Sequence, residues 1–514
     1  MTRTIERTIF GACAFLLCFL WAHGALAQLA VCSEVMKVGK DEGRQYLAGS
    51  TAEGYYVAVE NERTQSVELR YYLHKGFTLA HSVVVELPDG NKNQHFEKLL
   101  FLSDGFILFT GGYSKESEQY QIMATLLDDR GQRTSPATLV HYTVDQTAAK
   151  KLTFVAELSP DQTKMLLLFD SRVEQKRETP IGMKIYGRDL ELLWEKELEL
   201  PYQSEILEVH NYAIDNAGDV FLMSGRNPVK DQVGLKTVQM GKHAVFYYNH
   251  VDKKLKEYNV GLRDKQVVSA IFAVQLSGDL MIAGYYSNDA EFAAAGTFLF
   301  TIASGGGAVK AASMMPFSKD FLLKFLKERQ VENRPTLTDY YLDHLVVGQN
   351  GDILLVGEQY YISEVVNSDP LTGGKQNEYR YHFDNIIATS LQPDGRQLWS
   401  SKISKTQFVL GNPEYCSYAL FAVEGGWEFY FNDALENETK LSSLPDGEAT
   451  AWSGGTKSCV TRVALDTAGV LTRSLWTLND EDGLLLEPRW SGAERNGAVV
   501  LSRNKGKQVR YCRK

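Results

Sequence analysis

The chain has 514 residues, of which 44% are hydrophobic, and a formal net charge of −10. That length buries a large core and suggests either about three domains or one large repeat fold, so repeats must be sought before domains are counted. The mildly acidic balance argues against nucleic acid as a partner.

At the N-terminus, Arg3 and Arg7 precede the apolar run "IFGACAFLLCFLWAHGALAQ", which ends in Ala25, Leu26 and Ala27. This pattern predicts a secretory signal over residues 1–27, cleaved before Gln28, and hence a secreted or periplasmic chain. No later window approaches the ~20 apolar residues of a membrane span. "LAVC" offers a rival lipoprotein reading at Cys32, which the bulk of Val31 and the distance of Cys32 from the apolar run disfavour.

From Gly54 onward one unit recurs: an apolar strand, a Gly or Asp turn, then a strongly apolar strand. Its turns fall near Gly54, Gly105, Pro160, Gly218, Gly278, Gly351, Gly425 and Gly497. Alternating with it is a hairpin, seen in "LLDDRGQRTSPATLV", "YGRDLELLWEKEL", "LQPDGRQLWSSKI" and "LDTAGVLTRSLW". Second-strand runs such as "ILFT", "MLLLF" and "ILLV" show no polar alternation, which predicts strands covered on both faces. Several of these runs end in glycine (Gly111, Gly225, Gly284, Gly357), where backbones can crowd.

Together these units resemble the β-propeller repeat superfamily, and especially its quinoprotein-like branch, with an Asp-Gly turn followed by Trp. The resemblance implies an all-β chain with a single propeller domain over residues 28–514. Eight blades are expected, with seven as the alternative if the Gly54 and Gly497 units share one. It also implies that Trp194, Trp399 and Trp476 dock neighbouring blades. If strands are lettered a to d from the axis outward, the last copy supplies a ("LLLEPRW"), b ("GAVVLS") and c ("QVRYC") but no d. The segment "QLAVCSEVMKV" is then the spare strand that closes the ring and brings Cys32 to Cys512.

Outside the signal stand Cys32, Cys416, Cys459 and Cys512, with no CxxC pair to begin a metal site. In an oxidising compartment two disulfides are expected. One is the Cys32–Cys512 clasp; the other joins Cys416 and Cys459 across the long b–c insertion of the seventh unit.

In this topology the b–c and d–a loops share one face, and that face holds nearly every insertion, the usual place for function on a rigid scaffold. "SKDFLLKFLKERQVE" predicts a short amphipathic helix near residues 318–331, capped by Ser318. The next insertion gathers Tyr360, Tyr361, Tyr379, Tyr381 and His382, read as a ligand-binding set suited to a glycan or protein surface. Catalytic signals are thin: there is no HExxH, and "NDEDG" (Asn479 to Gly483) reads as a solvated acidic turn. Glu358, Glu364 and Asp384 are the carboxylates an acid/base pair would draw on. No cofactor is expected, and the chain lacks the adjacent cysteines of some quinoprotein dehydrogenases. The expectation is a monomeric binding or scaffold module engaging a protein or glycan. The alternatives are a carbohydrate-active enzyme (glycoside hydrolase or lyase) and a structural piece of a cell-envelope assembly.

Overall fold

The computed structural model describes residues 32–513 except 88–93, 144–152, 171–180, 201–206, 227–228, 231–236, 239–242, 263, 289–292, 349–350, 369–374, 412, 445, 456–457, 479–482, 492–497 and 504–507. The signal segment, Asp480 and Asp482 therefore lie outside the described residues.

Among the described residues eight antiparallel sheets carry their strands in the order a–b–c–d, and a separate two-stranded ribbon pairs Val229–Lys230 with Thr237–Val238. Blade 1 runs from Glu42–Ser50 to Leu79–Val84, and blade 2 from His95–Leu102 to Thr138–Thr143. Blades 3, 4 and 5 begin at Thr153–Leu158, Leu207–Ile214 and Gln266–Val274. Blade 6 is Tyr340–Val347, Ile353–Ser368, Lys375–Leu391 and Gln397–Ile403, and blade 7 spans Ala419–Val423 to Leu471–Leu478. Blade 8 takes Leu485–Leu486, Ala498–Arg503 and Gln508–Arg513 from the C-terminal end and Met36–Lys37 from the N-terminal end. The molecule is an eight-bladed β-propeller.

The unbroken apolar runs have the predicted cause. In strand b of blade 2, Phe106 and Leu108 pack with Tyr56 and Ala58 of blade 1, whereas Ile107 and Phe109 pack with Met165 and Leu167 of blade 3. Blade 6 repeats this: Ile353 and Leu355 meet Met281 and Ala283 of blade 5, and Leu354 and Val356 meet Phe429 and Phe431 of blade 7. Side chains alternate across a strand, so a sheet with a neighbour on each side needs apolar residues at every position. Each fully buried aliphatic or Phe side chain contributes about 1.5–3 kcal/mol.

The last of these cores joins Val500 and Tyr511 of blade 8 to Tyr55, Val57 and Val59 of blade 1 and so closes the ring. Met36 and Lys37 pair with strand c there, opposite Val509 and Gln508, and nearer the N-terminus Cys32 bridges to Cys512 and Ser33 N donates to the Tyr511 carbonyl at 2.8 Å. The Cys32–Cys512 disulfide reinforces this short seam.

Cys416 and Cys459, expected as the second disulfide, are free and buried. Cys459 lies in strand c of blade 7 opposite Asp433 of strand b, while Cys416 sits just before strand a on the far side of that strand. Two inter-strand steps are about 9–10 Å, beyond disulfide reach.

Trp194 stacks on His250 of blade 4, with centroids 5.8 Å apart, and Trp399 donates to the Thr467 carbonyl of blade 7 at 2.9 Å. Trp476 meets Tyr430 of its own blade edge-on and joins the core shared with blade 8. The turn at Gly469 has φ +85, and a Cβ there would come within 2.7 Å of the Trp399 ring.

Candidate functional site

The insertions of blades 5, 6 and 7 meet on the b–c/d–a face. Between blades 5 and 6 the single helix expected from the sequence folds as two, α1 (Lys319–Leu322) and α2 (Glu328–Asn333). The Ser318 hydroxyl accepts from Phe321 N at 3.2 Å, which starts α1. Phe321, Leu322, Val331 and Leu337 pack onto Tyr285, Tyr340 and Ile387, with Phe325 and Leu326 at the margin of the same cluster. Lys402 Nζ donates to the Lys324 carbonyl at 2.8 Å, and Lys324 pairs with Asp446 at 2.8 Å, so the helical insertion is tied to blades 6 and 7.

Strands b and c of blade 6 continue past the sheet as a long hairpin, and Gln407–Leu410 adds a third strand to it. The hairpin has two faces, and the five predicted ligand residues divide between them. Tyr360 pairs with Phe383, and Ile362 with Tyr381. Tyr360, Tyr381 and Phe383 form one cluster with Cys416, Ala434 and Trp452, so Tyr360 and Tyr381 are core residues, 2% and 6% exposed. Tyr379, further out on the same face, is 36% exposed. On the opposite face Tyr361 stacks on His382 with centroids 4.2 Å apart, and His382 lies 6.0 Å from Phe408. The Arg380 guanidinium lies 4.8 Å from the Phe408 centroid, and His382 Nε2 is 2.9 Å from Ser363 Oγ. Burial, and secondarily the charge of Arg380, holds the His382 imidazole below its ordinary value. Burial raises the Asp384 carboxyl against the opposing charge of Lys405, and Tyr361 hydrogen-bonds to that carboxyl.

Beneath the hairpin runs a buried polar seam. Lys405 Nζ lies 2.8 Å from Glu358 Oε1 and donates to the Phe383 carbonyl at 2.6 Å and to Gln407 Oε1 at 3.0 Å. Ser417 Oγ donates to Glu358 Oε2 at 2.8 Å. A second ion pair, Arg473–Asp433, links on through Arg473 Nη1 to the Ser404 carbonyl at 3.0 Å. Glu358 is thus fully buried, with both carboxylate oxygens engaged by Lys405 and Ser417. Burial pushes the nearby Cys416 thiol up to about 12.

Beside the seam, a cleft of about 470 Å³ opens between α2 and the base of the hairpin, with Phe325, Leu326, Leu337 and Tyr340 on its apolar side. Gln359 and Asn385 contribute from blade 6. Tyr340 and Gln359 are directly opposite in the sheet, and Gln359 precedes Tyr361 by two residues, so the cleft wall runs into the Tyr361 side of the hairpin. Sequence reasoning missed this cleft. Its signal was the amide- and hydroxyl-rich stretch "ENRPTLTD", which reads as an ordinary loop.

The eight blades and their ring closure decide the wider assignment. The chain has the β-propeller fold, with eight blades. No protein-family model matches the sequence, and no curated protein does. Among solved structures it is similar to BamB from Moraxella catarrhalis (TM-score 0.37, 11% identity, covering 95% of this chain and 100% of that one). It is also similar to Porphyromonas gingivalis dipeptidyl peptidase 4 (TM-score 0.43, 12% identity, 93% of this chain, 59% of that one). Prolyl oligopeptidase B from Galerina marginata shares 9% identity over 78% of this chain and 46% of that one, with a TM-score of 0.34. This propeller therefore spans about half to three fifths of the two peptidase chains. No helix among the described residues is long and apolar enough to cross a membrane, and the disulfide fits an oxidising compartment.

Proposed function

We propose that this protein is a secreted or periplasmic binding module that engages a protein or glycan through the b–c/d–a face of its propeller. The fold is consistent with a binding or scaffold role. The observation that carries the finer reading is the blade 6 hairpin: Tyr361, His382 and Phe408 form a row across three strands, flanked by Arg380, on the face turned away from the core. Aromatic and Arg side chains held by a rigid support are the usual anchors of recognition surfaces. Two buried ion pairs, Lys405–Glu358 and Arg473–Asp433, lie below that support. The acid/base alternative loses Glu358 to the Lys405 pair.

The test compares retention of the native envelope or culture-fluid fraction by the immobilised protein and by two surface variants. Tyr361→Ala with Arg380→Ala should abolish saturable retention. Val251→Ser with Leu276→Ser, exposed turns on the opposite face, should leave it intact. The reverse pattern would move the binding surface to the other face. Cleavage after Ala27 is checked by N-terminal sequencing of exported protein.

A further inference from the structure

We infer that the cleft between α2 and blade 6 is a subsite for an oligosaccharide, which it holds by hydrogen bonds to sugar hydroxyls. This inference rests on the binding reading above and adds the ligand class and a place distinct from the aromatic row. The polar lining is mainly neutral: Gln330, Asn333, Thr336, Thr338, Gln359 and Asn385 contribute four carboxamides and two hydroxyls, and among the described residues no Asp or Glu lines the cleft. Arg329 and Arg334 also lie on the α2 side and add planar donors. A carboxamide both donates and accepts, which matches the hydroxyl groups of a sugar ring better than it matches an ion or an apolar ligand.

The opposite side of the lining is apolar, with Leu337 and Tyr340 buried beneath it and Phe325 at its margin, and can receive the C–H face of a ring. The volume of about 470 Å³ lies within the range of small-ligand sites, about 300–1,000 Å³. The groups are also positioned in advance. Gln359 Nε2 donates to the Thr338 carbonyl at 3.2 Å, Gln330 closes the turn at Lys327, and Asn333 donates to the Arg329 carbonyl at 2.8 Å. Fixed polar groups favour a hydroxylated ligand over an analogue that leaves them unpaired.

The experiment titrates the full-length mature protein by calorimetry against neutral oligosaccharides (gluco-, chito- and xylo-series) and an oligogalacturonide. Binding is expected from at least one member. Affinity should fall at least tenfold in Gln359→Ala, and also in Thr338→Trp, where an indole on an exposed position fills the cleft. Unchanged melting temperatures show that both variants fold. If no sugar binds, or if binding is the same in both variants, the inference is overturned. Selective retention of a protein through the Tyr361 surface, with no sugar bound, overturns the glycan subsite while the binding reading stands.

Discussion

Lys405 Nζ lies 2.8 Å from Glu358 Oε1, and neither side chain has any exposed surface. The pair joins the d–a segment after blade 6 to strand b of the same blade, under the hairpin that carries Tyr361. Losing one partner leaves a charge in the interior. Lys405→Met should therefore cost about 3–5 kcal/mol in chemical denaturation, and adding Glu358→Met should restore much of the loss. Strictly additive costs would show that the two groups do not interact.

Ring closure depends on a strand d of only two paired residues and on a disulfide across a sequence separation of 480. On the chain-entropy model a loop of that size is worth about 6 kcal/mol. Cys512→Ser, or reduction of the wild type, should lower the melting temperature markedly. Tryptic peptides should carry alkylated Cys416 and Cys459 only after denaturation, because both thiols are buried.

Gly469 and Gly411 share φ +85, yet Gly411 has open space where a Cβ would go and Gly469 has the Trp399 ring at 2.7 Å. Gly411→Ala should cost about 1–2 kcal/mol, the backbone cost of a left-handed residue. Gly469→Ala should cost distinctly more, since the ring that docks blade 6 on blade 7 must also shift. Equal costs in parallel melts would remove Trp399 as a docking element.

His141 stacks on Phe169 at 3.8 Å, and burial, with Lys184 second, pushes its imidazole down to about 4. The unfolded chain takes up this proton near the ordinary value of 6.5, and the folded chain only near 4. Between those values the unfolded state binds more protons, so stability falls as pH drops through the window. His141→Phe keeps the stacked ring and should flatten this part of the stability–pH curve. An unchanged slope would assign the pH dependence to other groups.

Much of the architecture was legible because a propeller blade constrains its sequence at every level. A strand between two sheets must be apolar throughout, its turns must recur, and a final unit lacking one strand needs a donor, which Met36 and Lys37 supply. The site was less legible. The hairpin sequence shows many tyrosines, but strand periodicity does not say which face meets a neighbour. Tyr360 and Tyr381 belong to the core because Trp452 and Ala434 arrive from blade 7, more than fifty residues on.

The repeat pattern by itself pointed to a propeller of eight or seven blades, to the shared last blade and to the Cys32–Cys512 clasp, because each follows from strand order and apolar patterning along the chain; the structure decided for eight. Only the tertiary structure decided that Cys416 and Cys459 are separated by a strand, that Glu358 is paired with Lys405, and that a polar cleft opens beneath α2. Those outcomes depend on which side chains from distant segments reach the same few ångströms of space, and local patterning carries no record of that distance.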